Sequence, residues 1–149
     1  MFAPKNSWYV AAFSVDVGQE PLARTILGQG LVMFRTADGK VAALEDRCPH
    51  RAVPLSMGRR VGDTIRCVYH GMQVGADGQC VRVPCQDAVP AKARAAVFPV
   101  AERYGMVWVW MGRLAEADPA RIPDFHWMDD PHWTTCTGSC GRWRSPARS

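Results

Sequence analysis

Two short segments, each with one cysteine and one histidine, constrain this 149-residue chain more than any other feature of its sequence. The first is Cys48-Pro49-His50 and the second is Cys67-Val68-Tyr69-His70, so the pattern reads C-x-H followed by C-x2-H. Side chains two residues apart in extended backbone point to the same side, so Cys48 and His50 can approach one centre from a single loop. The pattern predicts a metal centre between two loops that the fold has to bring together.

This pattern resembles the ligand set of a Rieske centre, in which two thiolates hold one iron of a [2Fe-2S] cluster and two imidazoles hold the other. The resemblance assigns Cys48 and Cys67 to the first iron and His50 and His70 to the second. Neutral imidazoles leave the oxidised cluster uncharged, whereas four thiolates would make it an anion, so this type of cluster accepts an electron more readily. We therefore expect an electron carrier.

Two other interpretations of the four residues stay open. A structural zinc site also uses two Cys and two His, but its ligands usually pair like with like, as C-x2-4-C and H-x3-5-H. A disulfide between Cys48 and Cys67 would require two of the chain's four histidines to fall beside these cysteines by chance. A non-redox zinc-binding or structural β domain therefore remains an alternative function.

Length and charge predict a soluble, cytoplasmic protein with one domain and a tail. No apolar run approaches the ~20 residues that a membrane span needs, and the N-terminus lacks the pattern of a signal peptide. The net charge is +4, and no stripe of Lys and Arg appears in the body of the chain, so we expect no nucleic-acid partner. Three of the positive charges lie near the C-terminus, at Arg142, Arg144 and Arg148.

Short β-branched or aromatic runs, separated by turn residues, predict an all-β domain. Hairpin turns are expected at Gly28-Gln29-Gly30, Asp38-Gly39 and Asp77-Gly78. The paired Trp108 and Trp110 are expected to pack on one face of a sheet. Nine strands are predicted, at Trp8–Ala12, Arg24–Leu27, Leu31–Arg35, Val41–Glu45, Thr64–Val68, Met72–Val74, Gln79–Val83, Phe98–Glu102 and Met106–Met111.

The remaining cysteines show no disulfide spacing in a chain without a secretion signal, so free thiols are expected at Cys80, Cys85, Cys136 and Cys140. A second possible metal site, Asp124 with His126 and His132, is disfavoured. Pro123 and Pro131 interrupt any helix that could place these three side chains on one face.

Longer stretches resemble the N-terminal Rieske domain of ring-hydroxylating oxygenases, and most of all the oxygenase component of vanillate O-demethylase and related aromatic-acid demethylases. The similar stretches are NSWYVAAFS, VAALEDRCPHRAVPLSMG, RCVYHGMQVGADGQCVRVP, ERYGMVWVWMG and ADPARIPDFHWMDDPHW, and together they cover residues 4 to 133. The resemblance implies an antiparallel β-sandwich with a small cluster-binding subdomain formed by two loops, over residues 4–112. Residues 113–133 would form an arm that connects to a catalytic domain.

In that family a flavin and iron-sulfur reductase passes electrons from NAD(P)H to the Rieske cluster. The cluster passes them to a mononuclear non-haem Fe(II), where an aromatic substrate is oxidised. The family commonly forms homotrimers. Arg51 matches a position that is often Arg in the family, and two interpretations of it stay open: a contact at the subunit interface or an ordinary solvated side chain. The Fe(II) domain is expected to be absent from this chain, so we assign it no catalytic residue, and a free-standing Rieske ferredoxin remains an alternative function.

Two further expectations follow from the residues around the motif and at the end of the chain. High-potential Rieske proteins have a hydroxyl side chain after the second His-Gly and an extra Cys in each loop. Here Met72 follows Gly71 and neither loop has a spare Cys, so we expect a potential near the bottom of the ~ −150 to +300 mV Rieske range. Residues 134–149 lack any strand or helix pattern, which predicts a disordered tail that results from a lost reading frame.

Overall fold

The computed structural model describes residues 4–86 and 88–132, which form an all-β fold. The strands are β1 (Ser7–Phe13), β2 (Leu22–Ile26), β3 (Gln29–Arg35), β4 (Val41–Glu45), β5 (Arg59–Val61), β6 (Thr64–Arg66), β7 (Gln73–Gly75), β8 (Cys80–Arg82), β9 (Val97–Phe98), β10 (Val100–Arg103) and β11 (Met106–Met111). Single 3-10 turns occur at Ser14–Asp16, Leu55–Met57, Leu114–Glu116, Pro119–Arg121 and His126–Met128. No helix within these residues has the length and apolar character to cross a membrane.

The strands form three antiparallel sheets. The first sheet has the order β1-β11-β10, the second β2-β3-β4-β9 and the third β5-β6-β7-β8. The expected all-β antiparallel architecture is confirmed. The strands of the small third sheet flank the loop that contains Cys67 and His70.

The second sheet is the central layer, because strand β3 buries side chains on both of its faces. Leu31 and Met33 pack into the core shared with the first sheet, whereas Val32 and Phe34 pack into the core shared with the third sheet. All four are fully buried. Because successive strand residues face opposite sides, this run of four apolar residues holds two cores together.

The outer face of the first sheet carries the tryptophans of β11. Trp108 and Trp110 lie in one cluster with Trp8 and Ile122, so their predicted packing on one face is confirmed. The chain after β11 folds back over this cluster, and Trp8 Nε1 donates a hydrogen bond of 2.8 Å to the carbonyl of Asp118. The described part of the predicted arm therefore packs as an outer layer on the sandwich.

One ion pair connects the first two sheets. Arg35 of β3 donates to Glu102 of β10, with 2.8 Å between Arg35 Nη2 and Glu102 Oε1. The hydrogen bond from Arg35 lowers the pKa of the Glu102 carboxyl, and the same bond raises the pKa of the guanidinium. Both side chains are about one-third exposed or less, so solvent screens the pair only in part.

Two strand predictions are wrong in detail. The single strand predicted over Phe98–Glu102 is two strands, since Pro99 separates β9 in the second sheet from β10 in the first. Proline has no N–H to donate, so pairing breaks there and the chain moves from one sheet to the other. Strand β5 was not predicted, because Arg59–Val61 is only three residues long and begins with two arginines.

The turns differ from expectation in one case. The β2–β3 hairpin turns at Leu27 and Gly28, both with positive φ, whereas Gln29 and Gly30 already belong to β3. A two-residue turn with both φ values positive matches the twist of the hairpin and explains the shift from the predicted Gly28-Gln29-Gly30. The turns at Asp38-Gly39 and Asp77-Gly78 are confirmed.

Gly78 offers a test of how closely the third sheet packs on its neighbours. Its φ is +78°, and a Cβ there would lie 2.4 Å from the carbonyl oxygen of Ala95. We expect Gly78→Ala to lower the free energy of unfolding by about 3 kcal/mol or more, through both the left-handed backbone and the clash. Gly39 is the matched control: its φ is +84° with nothing within 4 Å, so Gly39→Ala should cost about 1 kcal/mol. Equal losses in urea unfolding of the two variants would contradict the clash.

Candidate functional site

The two predicted ligand loops begin at the ends of strands in adjacent sheets. β4 of the second sheet ends at Glu45, shortly before Cys48, and β6 of the third sheet ends at Arg66, directly before Cys67. Both cysteines are buried in the core that lies between these two sheets. The sandwich therefore supports the loops from two sides at their cysteine ends.

The first loop is closed by a compact set of hydrogen bonds. The Cys48 N–H donates to the carbonyl of Val53 at 2.8 Å, and the Ala52 N–H donates back to the Cys48 carbonyl at 2.9 Å. The carboxylate of Asp46 accepts bonds from the N–H and the hydroxyl of Ser56, at 2.7 and 2.6 Å. Asp46 therefore ties the end of β4 to the 3-10 turn that follows the loop.

The second loop repeats the same backbone pattern. The Cys67 N–H donates to the carbonyl of Met72 at 2.8 Å, and the Gly71 N–H donates back to the Cys67 carbonyl at 3.0 Å. In both loops the residue four positions after the cysteine has a positive φ, +59° at Ala52 and +72° at Gly71. Each loop is thus one turn of the same geometry, with the cysteine at its start.

The loops bring the four predicted residues together as two pairs of like side chains. The Cys48 and Cys67 side chains are neighbours, and both are buried in the core between the second and third sheets. The His50 and His70 rings are exposed, with 4.7 Å between their centroids. Among residues 4–86 and 88–132, no three Cys, His, Asp or Glu side chains converge so as to hold a single metal ion. The thiols are therefore buried, whereas the imidazoles are exposed.

This donor set fits a cluster with two metals better than a single ion. A tetrahedral zinc site needs its four ligand atoms about 2.0 to 2.3 Å from one point, whereas a [2Fe-2S] cluster with mixed ligands needs one thiol pair and one imidazole pair. Burial raises the pKa of the Cys48 thiol, and the neighbouring Cys67 side chain adds to this effect. The backbone N–H groups of His50 and Arg51 oppose it by donating toward the Cys48 sulfur.

Exposed apolar side chains lie in and beside the second loop, where no sequence pattern predicted them. Tyr69 is 56% exposed and its ring lies 3.8 Å from that of His70, between centroids. Val68 is 60% exposed and Met57, which lines the same hollow beside the loop, is 65% exposed. Three large apolar side chains are therefore exposed at one site.

Unpaired positive charge around the loops was also missed. Six exposed cations line the two hollows beside the loops: Arg47, Arg51, Lys92 and Arg94 near the first, and Arg59 and Arg66 near the second. None of the six forms a salt bridge within the described part of the chain. A count by segment would have found them, because residues 47 to 94 contain eight Arg or Lys and three Asp or Glu. Their balance of +5 exceeds the +4 of the whole chain.

The three residues of the disfavoured second metal site form hydrogen bonds of a different kind. Asp124 accepts a hydrogen bond of 2.9 Å from the Tyr104 hydroxyl and one of 3.0 Å from the His126 N–H. The bond from Tyr104 is the largest cause of the lowered pKa of the Asp124 carboxyl. The N–H of His132 donates instead to Asp130, at 2.8 Å. The three side chains do not form a metal-binding group within the described residues.

The other cysteines take no part in the loops. Cys80 is buried, and its sulfur lies 3.5 Å from the Arg82 carbonyl oxygen. Burial raises the pKa of the Cys80 thiol. Cys85 is exposed, and both thiols are free, as expected. Cys136, Cys140 and the predicted disordered tail lie outside the residues that the structure describes.

Known proteins are similar to this chain in both sequence and fold. The chain is 46% identical over 135 residues to the oxygenase component of dicamba O-demethylase from Stenotrophomonas maltophilia, covering 90% of this chain and 40% of that protein. It is 44% identical over 130 residues to the iron-sulfur subunit of the toluene-4-sulfonate monooxygenase system from Comamonas testosteroni, covering 87% of this chain and 38% of the relative. A vanillate O-demethylase oxygenase subunit from Pseudomonas sp. is 42% identical over 130 residues, which cover 87% of this chain and 36% of that protein.

The structure agrees with these sequence relationships. A crystal structure of dicamba monooxygenase bound to dicamba superposes with a TM-score of 0.82 at 47% identity, covering 85% of this chain and 38% of that one. The chain spans about two fifths of the length of the curated relatives that it matches. The sequence profile of the Rieske [2Fe-2S] domain matches residues 7–98, which include both loops. The chain therefore belongs to the Rieske [2Fe-2S] family, and its cofactor is the cluster of that domain.

Proposed function

We propose that this chain is the electron-transfer domain of an aromatic-compound oxygenase. Cys48 and Cys67 would hold one iron of the [2Fe-2S] cluster, and His50 and His70 would hold the other. The observation that carries this assignment is the pairing of like donors, with two neighbouring thiols buried in one core and two imidazoles side by side at the surface. When bound, the cluster supplies a reversible one-electron carrier.

The protein's own residues set the surroundings of that carrier. The core between the second and third sheets excludes water from the cysteine side, whereas the histidine side is open to solvent. The N–H groups that point toward the Cys48 sulfur would stabilise its thiolate form. Electrons would therefore enter and leave at the histidine edge, because it is the exposed one.

The names of the relatives support a proposal for the electron donor and acceptor. The matched proteins are oxygenase components or iron-sulfur subunits of oxygenase systems, and one solved relative is described as containing a non-haem iron. We propose that the cluster receives electrons from a separate flavin and iron-sulfur reductase that uses NAD(P)H. It would deliver them to a mononuclear Fe(II) outside residues 4–132. A stand-alone ferredoxin would use the same cluster, and the oxygenase role is preferred because these relatives carry it.

The same relatives suggest the substrate class and the domain organisation. Their names refer to toluene-4-sulfonate, dicamba and vanillate, which are all aromatic acids. We propose that the partner iron acts on an aromatic acid and that residues 4–112 are the Rieske domain. Residues 113–133 would be an arm toward the catalytic domain, and the assembly would be a homotrimer with Arg51 near its interface.

The ligand assignment is tested by removing one exposed histidine at a time. We expect the full chain, after iron and sulfide reconstitution, to contain a [2Fe-2S] cluster with the EPR signal of a reduced Rieske centre. His50→Ala should lose the signal while its far-UV circular dichroism stays unchanged, since His50 is exposed. His126→Ala, also exposed but outside the loops, is the matched control and should keep the cluster. Zinc without acid-labile sulfide in the native protein would refute the proposal.

Asp46 is expected to hold the first loop in a shape that retains the cluster. Asp46→Ala removes both bonds to Ser56, which should cost about 2 to 3 kcal/mol of unfolding free energy and speed iron loss to a chelator. Ser56→Ala keeps the backbone bond and should have a smaller effect. Asp38→Ala, which removes the same charge from a hairpin of the second sheet, should leave chelation unchanged. Equal rates for Asp46→Ala and Asp38→Ala would show that the loop does not depend on Asp46.

The residues near the sulfur atoms predict a low midpoint potential. Met72 is buried beside Cys67 and offers no hydroxyl that could donate to the cluster. Fewer hydrogen bonds to sulfur stabilise the reduced state less, so we expect a midpoint near −150 mV, at roughly the bottom of the Rieske range. A redox titration followed by EPR measures it, and a clearly positive midpoint would contradict the prediction.

A further inference from the structure

We propose that residues 113–128, which we name the strap, close on the outer face of the first sheet as one cooperative unit, and that Asn6 fixes the start of the strap. The strap comprises most of the arm that the proposed function assigns to residues 113–133. A connecting segment usually lets the domains at its ends move relative to each other. A strap that closes on the sheet would instead hold the segment after it in one orientation. This role does not require a cluster in the two loops.

Asn6 contacts the strap at two separate points. Its side-chain Oδ1 accepts a hydrogen bond of 3.0 Å from the Arg113 N–H, at the start of the strap. Its backbone carbonyl accepts another bond of 3.0 Å from Arg121 Nη2, in the middle of the strap. The N–H of Asn6 donates to the carbonyl of Met111, the last residue of β11, at 2.8 Å. Asn6 therefore connects the end of the sheet with two points of the strap.

The residue type at position 6 suits this arrangement. Asn6 has a φ of +56°, and asparagine is one of the few residues with a side chain that adopt left-handed backbone. A Cβ on Gly112 would lie 2.6 Å from the Cα of Asn6 and 2.9 Å from its nitrogen. Only glycine lets the two backbones approach this closely. A left-handed asparagine and a glycine are thus fitted to each other where the strap begins.

Two buried indole groups depend on the strap for their hydrogen bonds. Trp8 Nε1 donates to the carbonyl of Asp118 at 2.8 Å, and Trp110 Nε1 donates to the carbonyl of Arg113 at 2.9 Å. The guanidinium of Arg121 lies over the Trp110 ring, with 4.9 Å between its carbon and the ring centroid. Lifting the strap would remove both hydrogen bonds and expose the rings to water, which opposes its opening.

The far end of the strap is attached by different contacts. The Tyr104 hydroxyl donates to the Asp124 carboxylate at 2.9 Å, and the Phe125 ring stacks on the Trp108 ring, with 6.1 Å between centroids. Ile122, which precedes both strap residues, is buried in the same cluster as Trp108. The strap therefore contacts the sheet at its start, in its middle and at its far end.

The strap has little regular structure of its own. Its regular elements are three single 3-10 turns, at Leu114–Glu116, Pro119–Arg121 and His126–Met128. Turns this short are not stable alone, because they form few hydrogen bonds for the backbone freedom that they lose. The order of the strap therefore comes from its contacts with the sheet. Loss of contact at one end should open the other end as well, as in a local cooperative unit.

The test is hydrogen–deuterium exchange of the full chain after iron and sulfide reconstitution, measured by mass spectrometry. We expect Asn6→Ala to speed exchange about tenfold along the whole strap, while β3 and β4 exchange at the wild-type rate. Asn6→Asp keeps an oxygen that can accept the bond from Arg113, and aspartate also tolerates a positive φ. Asn6→Asp should therefore restore slow exchange to within about twofold of the wild type.

A change at the far end tests whether the strap opens as one unit. Tyr104→Phe keeps the buried ring but removes the bond to Asp124. It should speed exchange at the start of the strap as well as at its far end.

The fit between Asn6 and Gly112 is tested by adding one methyl group. Gly112→Ala places a Cβ against the backbone of Asn6 and should speed exchange along the whole strap. Gly18→Ala is the matched control, because nothing lies within 4 Å of a Cβ at that position, and it should leave the exchange of the strap unchanged.

Three results would overturn the proposal. In the first, Asn6→Ala leaves the exchange of the strap unchanged. In the second, Asn6→Ala and Tyr104→Phe each speed exchange only at their own end, which would mean that the strap is a row of independent contacts. In the third, Asn6→Asp exchanges as fast as Asn6→Ala. The EPR signal of the same samples tests the proposed function separately, because a wild-type chain without a cluster would refute that function and leave the exchange results standing.

Discussion

The burial of the second sheet on both faces is the constraint on which the rest of the structure depends. Four successive residues of β3, Leu31 to Phe34, are fully buried, alternately in the core with the first sheet and in the core with the third. Each such side chain contributes about 1.5 to 3 kcal/mol through burial, so displacing either outer sheet would be costly. This double packing places Cys48 and Cys67 in the core between the second and third sheets.

The two loops reach the same result from different sequences. Each cysteine begins a turn with the same pair of backbone hydrogen bonds and a positive φ four residues later, although one turn uses Ala52 and the other uses Gly71. The histidines sit at different positions in these turns, two residues after Cys48 and three after Cys67. Both rings nevertheless point outward and lie next to each other. The site therefore has a dry thiol side and an exposed imidazole side, which is the asymmetry that a surface electron carrier requires.

Positive charge and apolar surface coincide at the same end of the molecule. The cations near the loops come from separate parts of the sequence, with Arg47 and Lys92 more than forty residues apart beside one hollow. Like charges gathered in this way lower stability unless a partner compensates them. The opposite face of the sandwich is instead covered by residues after β11, which pack over Trp8 and Trp110. The surface near the loops is thus left for contact with other molecules.

Much of the fold could be predicted from local patterns, because strand alternation and Asp-Gly turns depend on neighbouring residues. The strand and turn predictions were wrong where the pairing of strands, and not the local sequence, decides the structure. Pro99 divides a run that the sequence pattern predicts as one strand. Its missing N–H separates β9, which pairs in the second sheet, from β10, which pairs in the first. Strand β5 has no pattern of its own and exists because β6 pairs with it. Leu27 takes a positive φ that the hairpin imposes on it.

The sequence by itself determined which four side chains are proposed as cluster ligands, because thiolate and imidazole chemistry is a property of residue type and spacing. It also determined that the chain would be built from short antiparallel strands. Only the tertiary structure decided that the thiols lie inside while the imidazoles lie outside, and that Arg59 faces Arg66 beside the second loop. The first relation depends on which sheets pack against each other, and the second on the register of the hairpin formed by β5 and β6.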